Sequence, residues 1–311
     1  MSDNCFAAYV DAVTSFVTSR PLLKAWPAYR RALLEQLSEE PPWTLALPGI
    51  SCLAVGGAGD DATPVAAAWA TLYRAGHILD TVQDGDTILG TGFHTPATAI
   101  NFAIGSIFAA FRFLDGVPYP GGGRRISALF SEAGFHSSLG QHLDLVQHLE
   151  DMPADEALEA YWRAVIAKSG SIFRAATAGG AAAGTDSKCL IASLGDFGNC
   201  LGVILQVLDD CRDVLAGSDV AKCEVSLPLL LFSMSIHNDR TEWNLLDRGT
   251  FSREELFNNL HKADVSYVVT DVLLEWRRRA LDSLKPLEHP EGVAMLEGIV
   301  DHILTGAPSL G

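Results

Sequence analysis

Valine-rich alternating runs are scarce in this sequence, which removes the case for a sheet-based fold. Alanine and leucine dominate between the breakers and favour helix. Paired cysteines are missing too. Cys5, Cys52, Cys189, Cys200, Cys211 and Cys223 are scattered with no CxxC spacing, so reduced thiols are expected, not a disulfide frame or a zinc site. Basic charge is in short supply, with 22 Lys and Arg against 38 Asp and Glu and a net charge of −16. That balance argues against nucleic acid or an anionic membrane as a partner. The amino end, MSDNCFAAYVDAV, has neither a basic region nor a long apolar one, and no signal peptide is expected. No apolar run approaches the roughly 20 residues of a membrane helix, so a soluble, cytoplasmic protein with no membrane span is expected.

What is present is material for a core: 311 residues, 48% hydrophobic, mean hydropathy +0.19. The 3.6-residue period and the breakers predict helices near 4–19, 21–38, 44–56, 64–83, 95–115, 124–149, 154–178, 186–215, 225–237, 252–262, 264–284 and 290–304. Asp61 or Thr63 could cap the fourth, with Pro64 in its first turn. No polar linker and no fixed-period repeat divides the chain, which predicts a single all-α domain over 1–311, one large helical bundle around a central apolar pocket.

Two stretches spend acids inside apolar surroundings: HILDTVQDGD (His77 to Asp86) and LQVLDDCRDV (Leu205 to Val214). Asp80 and Asp84 are four apart and share a helix face, as do Asp209 and Asp213. Like charges at this spacing cost a helix a few tenths of a kcal/mol, and burying an unpaired carboxylate costs several kcal/mol. A hard divalent cation reverses that sign, since Mg²⁺ is commonly held by one or two carboxylates plus substrate phosphates. Two such pairs on facing helices would make a metal-lined rim over a cavity. The bland alternative is a pair of solvated helix ends. Lys168, in a long apolar helix, and Lys222, after the second stretch, could snorkel to the surface or hold a diphosphate oxygen as point charges. The small-residue run Thr177 to Gly184 reads as close helix packing or as a kink that opens a cavity.

These stretches, with three others, resemble the trans-isoprenyl diphosphate synthase (polyprenyl synthetase) family and its class I terpene-synthase relatives over roughly residues 40–235. HILDTVQDGD resembles the first DDxxD motif with Thr81 in the second place, and LQVLDDCRD the second motif with the glutamine before it. LGQHLDL (Leu139 to Leu145) is similar to GQxxDL, YWRAVIAKSGSIF to YxxxxxxKTxxLF, and DVAKCEVSLPLL to the lysine-then-LPLL segment. The resemblance implies the isoprenoid synthase fold, an allylic prenyl diphosphate substrate, three Mg²⁺ and a homodimer. It implies metal binding at Asp80, Asp84, Asp209 and Asp213, diphosphate binding at Lys168 and Lys222, and places Gln206 and Thr81 near the reacting centre. Substrate length in such a fold is set before the first aspartate, where Trp69, Tyr73 and Gly76 lie. Phe102 and Phe173 are further wall candidates, each also explained as ordinary core.

The departures decide the functional expectation. WTLALPGI (Trp43 to Ile50) stands where GKxxRP would bind isopentenyl diphosphate, and it has no lysine or arginine. Tyr73 replaces a histidine, DTILGTG replaces the arginine pair, and the carboxy end HILTGAPSLG has no basic tail. A second diphosphate left unpaired in a cavity would be prohibitive. The expectation is therefore a terpene synthase (cyclase) that ionises an allylic diphosphate and quenches the cation within its own chain or with water. The alternatives are a chain-elongating polyprenyl diphosphate synthase using Arg74, Arg112 or Arg124, a prenyltransferase to a non-diphosphate acceptor, and a non-catalytic partner subunit. His142 and His148 read as a solvated face before a metal cluster, and EWRRRALDSL (Glu275 to Leu284) as a solvated or salt-bridged turn before a pyrophosphate grip.

Overall fold

The computed structural model describes residues 6–85, 95–118, 122–147, 152–216, 226–236 and 253–306. Among them no strand occurs. The helices are α1 (Ala7–Ser19), α2 (Pro27–Glu39), α3 (Pro42–Ala54), α4 (Thr63–Gln83), α5 (Pro96–Phe113), α6 (Gly122–Val146), α7 (Ala154–Val165), α8 (Ser171–Gly184), α9 (Lys188–Ala216), α10 (Leu227–Ile236), α11 (Arg253–Lys262), α12 (Val265–Leu284) and α13 (Pro290–Thr305). They follow the predicted segments with two differences. Pro27 splits 21–38 into a 3₁₀ turn (Pro21–Ala25) and α2, because proline is at home in a first turn and not in a helix interior. The segment from 154 runs on through a π-helical turn, Ile166–Gly170, and ends at Gly184.

The chain forms two compact units. One comprises Met1–Gly134, Ile172–Gly198 and Ser283–Ile299, the other Phe135–Ser171, Asn199–Asp282 and Val300–Gly311. Each draws on separate stretches of sequence, so no single cut divides them.

In the first unit α4 packs on α1, α3 and α5. Neither Asp61 nor Thr63 caps α4: Ala62 is the N-cap with no side-chain bond, and Pro64 fills the first turn as expected. The start of α5 is better secured. Thr95 accepts from the Thr98 amide at 3.2 Å and Thr98 accepts from the Thr95 amide at 3.2 Å, a reciprocal cap. The run Thr177 to Gly184 stays helical and serves close packing. A Cβ on Gly180 would meet the Pro48 carbonyl oxygen of α3 at 2.1 Å, so only glycine lets the two backbones approach.

The second unit places its own tight approach at the π turn. A Cβ on Gly140 of α6 would lie 2.2 Å from the Lys168 amide nitrogen, and one on Gly202 of α9 2.3 Å from the Ser169 carbonyl oxygen. The π turn is thus gripped by two helices at glycine contacts. The EWRRRALDSL turn is salt-bridged: Arg278 pairs with Glu275 and Asp282, Arg279 with Glu275, and Arg277 with Asp301.

The membrane expectation needs one correction. Pro96–Gly116 and Lys188–Ala216 are each long and apolar enough to cross a bilayer, with window hydropathy of 1.5. Burial explains the apolarity of the second, 61% of whose apolar window lies inside the protein; a buried helix is apolar all round.

Candidate active site

The first acidic stretch is a helix end. Asp80 lies in the last turn of α4, partly buried, and Asp84 stands exposed at its C-cap, its amide donating to the Asp80 carbonyl at 2.9 Å. Gly85 follows with φ +72°, the left-handed stop that glycine supplies. Thr81 turns its hydroxyl onto the His77 carbonyl at 2.8 Å, so its proton is spent on the helix. Asp86 lies outside the described residues.

Upstream on α4, Trp69, Tyr73 and His77 recur every four residues and form a ladder. Tyr73 stacks on Trp69 (centroids 5.0 Å) and meets His77 edge-on (4.4 Å). Phe173 of α8 lies 5.4 Å from both Trp69 and Tyr73, and the Trp69 indole donates to the Ile172 carbonyl at 2.9 Å. Three expected wall residues are therefore together, with Trp69 and Phe173 buried and Tyr73 partly exposed. Phe102 is not with them: it packs on Tyr29 (4.5 Å) and Trp26 (6.4 Å). Gly76 is exposed, with nothing within 4 Å of the place a Cβ would take.

The second acidic stretch, on α9, divides by helix face. Asp209 and Asp213 are exposed, and Arg212 pairs with Asp209. Surrounding protein raises the Asp209 pKa, opposed by Arg212 and assisted by Asp213. Asp210 is buried. Its Oδ1 accepts from Gln206 Nε2 at 3.0 Å, and its Oδ2 from the Tyr161 hydroxyl at 2.6 Å and the Leu227 amide at 2.9 Å. Burial lifts its pKa to about 6 against those hydrogen bonds, which lower it. Burial and the Asp210 charge push the Tyr161 hydroxyl well up. Gln206 Oε1 accepts from the Ser169 hydroxyl at 2.6 Å, and the Lys168 ammonium donates to Asp144 Oδ2 at 2.8 Å.

Four of the quoted motifs thus converge within one unit. The sequence reading passed over Asp144, Tyr161 and Asp210, although each lies inside a quoted motif; spacing alone does not say which acid turns inward. Lys222 and His148 lie outside the described residues, and His142 is exposed.

The polyprenyl synthetase family model matches residues 92–241, a span that holds the second acidic stretch and begins after the first. That stretch of the chain is similar to the polyprenyl synthetase family. A short chain isoprenyl diphosphate synthase of Methanothermobacter thermautotrophicus is 26% identical over 82% of this chain and 83% of its own. Geranylgeranyl pyrophosphate synthetase from Pyrococcus horikoshii shares the fold at TM-score 0.79, with 20% identity over 95% of this chain and 94% of its own. Decaprenyl diphosphate synthase from Rhodobacter capsulatus does so at TM-score 0.78, with 17% identity over 98% and 97%. The fold is the all-α isoprenoid synthase fold.

The donor chemistry of this polyprenyl synthetase-like chain fits a hard cation. Each stretch presents two carboxylates four residues apart, the set Mg²⁺ accepts when waters and phosphate oxygens complete its shell. Among the described residues no three His, Cys, Asp or Glu side chains gather into a cage.

Proposed function

We propose that the chain is a chain-elongating prenyl diphosphate synthase, which joins an allylic prenyl diphosphate to isopentenyl diphosphate and releases pyrophosphate. The observation that carries this reading is the similarity to a short chain isoprenyl diphosphate synthase over four-fifths of both chains, with the second acidic motif intact and the outer aspartates of the first retained. The expected cyclase gives way to the elongating alternative, which the family match and the isoprenyl diphosphate synthase relative support better. Asp80, Asp84, Asp209 and Asp213 are the proposed holders of Mg²⁺, three ions by family resemblance. When bound, the metal neutralises the departing pyrophosphate.

The chain's own residues orient and shield. Lys168, whose ammonium donates to Asp144, is the first proposed diphosphate ligand, a point charge for a diphosphate oxygen. The Tyr73 ring, stacked on Trp69, offers a π face worth about 1–2 kcal/mol to a passing carbocation. Lys222 is the second proposed diphosphate ligand. A cytoplasmic homodimer completes the reading, supported by Ile104 and Phe108, which stand 46% and 69% exposed on α5.

The cations for the second diphosphate are the point to test. Trp43 to Ile50 are all buried, Arg74 is bonded to Glu40 at 3.0 Å and Arg112 pairs with Asp115, while Arg124 is exposed. The purified protein is incubated with Mg²⁺ and ten-, fifteen- or twenty-carbon allylic diphosphates, each with and without labelled isopentenyl diphosphate. A longer labelled diphosphate is expected. Hydrocarbon or alcohol from the allylic substrate alone would return the cyclase. Mg²⁺-dependent diphosphate binding without turnover would point to a partner subunit.

A further inference from the structure

Asp210 is an acid of the second motif that cannot serve as its neighbours do. Asp209 and Asp213 face outward, whereas Asp210 is 7% exposed and receives three hydrogen bonds. A carboxylate has about four acceptor positions, and a ligand to a hydrated cation needs those positions open.

We propose that Asp210 is a positioning residue, which holds α7, α9 and α10 in one arrangement beside Lys168 without ligating metal. The inference rests on the prenyl diphosphate synthase reading for its turnover arm alone.

Each bond has a distinct consequence. Leu227 is the first residue of α10, and its amide is one of the orphan donors at a helix start. Asp210 satisfies it from a different helix, as an N-cap acid would. The bond therefore ties the start of α10 to α9. The bond from Gln206 sets the amide. An ionised carboxylate only accepts, so it draws the NH₂ side of Gln206 and turns Oε1 toward the Ser169 hydroxyl. Ser169 follows Lys168 in the π turn, so the orientation is passed to the residue beside the ammonium. Tyr161 ties the same carboxylate to α7, the helix that leads into that turn.

The test uses the full chain and Asp210→Asn, with Asp209→Asn beside it. An asparagine keeps the size but brings a donor to a place where only acceptors fit. Amide hydrogen exchange at Leu227 is expected to speed at least tenfold in Asp210→Asn. Calorimetric binding of Mg²⁺ with inorganic pyrophosphate is expected to stay within twofold of wild type, while Asp209→Asn weakens it tenfold or more. Turnover is expected to fall 10- to 100-fold with the Mg²⁺ half-saturation unchanged. Loss of Mg²⁺–pyrophosphate binding equal to that of Asp209→Asn would make Asp210 a ligand and overturn the proposal. Unchanged exchange at Leu227, or unchanged turnover, would overturn it as well. If Asp210→Asn does not fold, Tyr161→Phe and Ser169→Ala each remove one bond of the chain. Each is expected to lower turnover severalfold at constant Mg²⁺ dependence, and no loss in both overturns the idea. A wild type without prenyl elongation would sink the functional reading, and the exchange and binding arms would still judge Asp210.

Discussion

At the end of α4, Asp84 stands exposed beside a glycine stop, and Asp80 is one turn back, partly buried. On α9, three acids are divided, two outward and one buried among donors from Tyr161, Gln206 and Leu227. The same residue types at the same spacing are thus an open helix end in one unit and part of a wired network in the other. The difference teaches that an acidic motif can carry ligand chemistry and structural chemistry at once, sorted by helix face.

The sharpest way to break this comparison is to remove one proposed metal-holding acid from each. Asp80→Ala and Asp209→Ala are each expected to cut elongation on the order of 10³-fold, the scale of losing electrostatic stabilisation of a leaving group. Thermal midpoints should stay near wild type. Steady-state kinetics alongside thermal melts check it, and a fall in stability that matches the lost activity would contradict the outward placement.

Stability should separate the two stretches next. Asp210→Ala leaves three donors without their acceptor and is expected to cost about 3 kcal/mol in urea unfolding. Asp84→Ala should stay within about 0.5 kcal/mol. The Asp210 effect has a pH sign. Its folded pKa, about 6, lies above the ordinary 3.8, so the folded state binds the proton more tightly. The proton-linked part of its contribution is fullest below pH 4, declines as pH rises toward 6 and is lost above, leaving the hydrogen bonds the carboxylate accepts. The deficit of Asp210→Ala should therefore be larger at pH 4.5 than at pH 8, by on the order of 2 kcal/mol. Equal deficits at both would deny the raised pKa.

Two glycines give the smaller contrasts. Gly140→Ala drives a methyl into the Lys168 backbone and is expected to cost about 1–3 kcal/mol, with Lys168 displaced and turnover reduced. Gly76→Ala meets nothing within 4 Å and should stabilise α4 by about 0.5–1 kcal/mol. A Gly76→Ala variant that lost stability would mean that the position is covered in solution, as a dimer could do.

Much of this was legible beforehand, and the failures have a common cause. The helices were readable because apolar residues recur at a 3.6-residue period and because Pro21 and Pro290 punctuate them, whereas the break at Pro27 was not anticipated. The second motif was readable as chemistry, yet its buried member was taken as a bystander. The wall candidates Trp69, Tyr73 and Phe173 meet, while Phe102 on α5 packs instead on Tyr29 of α2 and on Trp26 just before it. Arg74 was weighed as a diphosphate cation, but Glu40, with a side chain 7% exposed and a pKa raised by burial, takes it instead.

By itself the sequence determined the all-α architecture, the order of the motifs and the hard-acid character of both stretches, since each depends on residue type and local period. Only the tertiary structure decided which acid of α9 turns inward, that Lys168 rests on Asp144 and that Gln206 is set by Asp210. Successive residues on a helix point about 100° apart, so one residue of rotation exchanges a ligand for an anchor. That rotation is set by packing against partners such as Asp144, 24 residues from Lys168, and Leu227, 17 residues from Asp210.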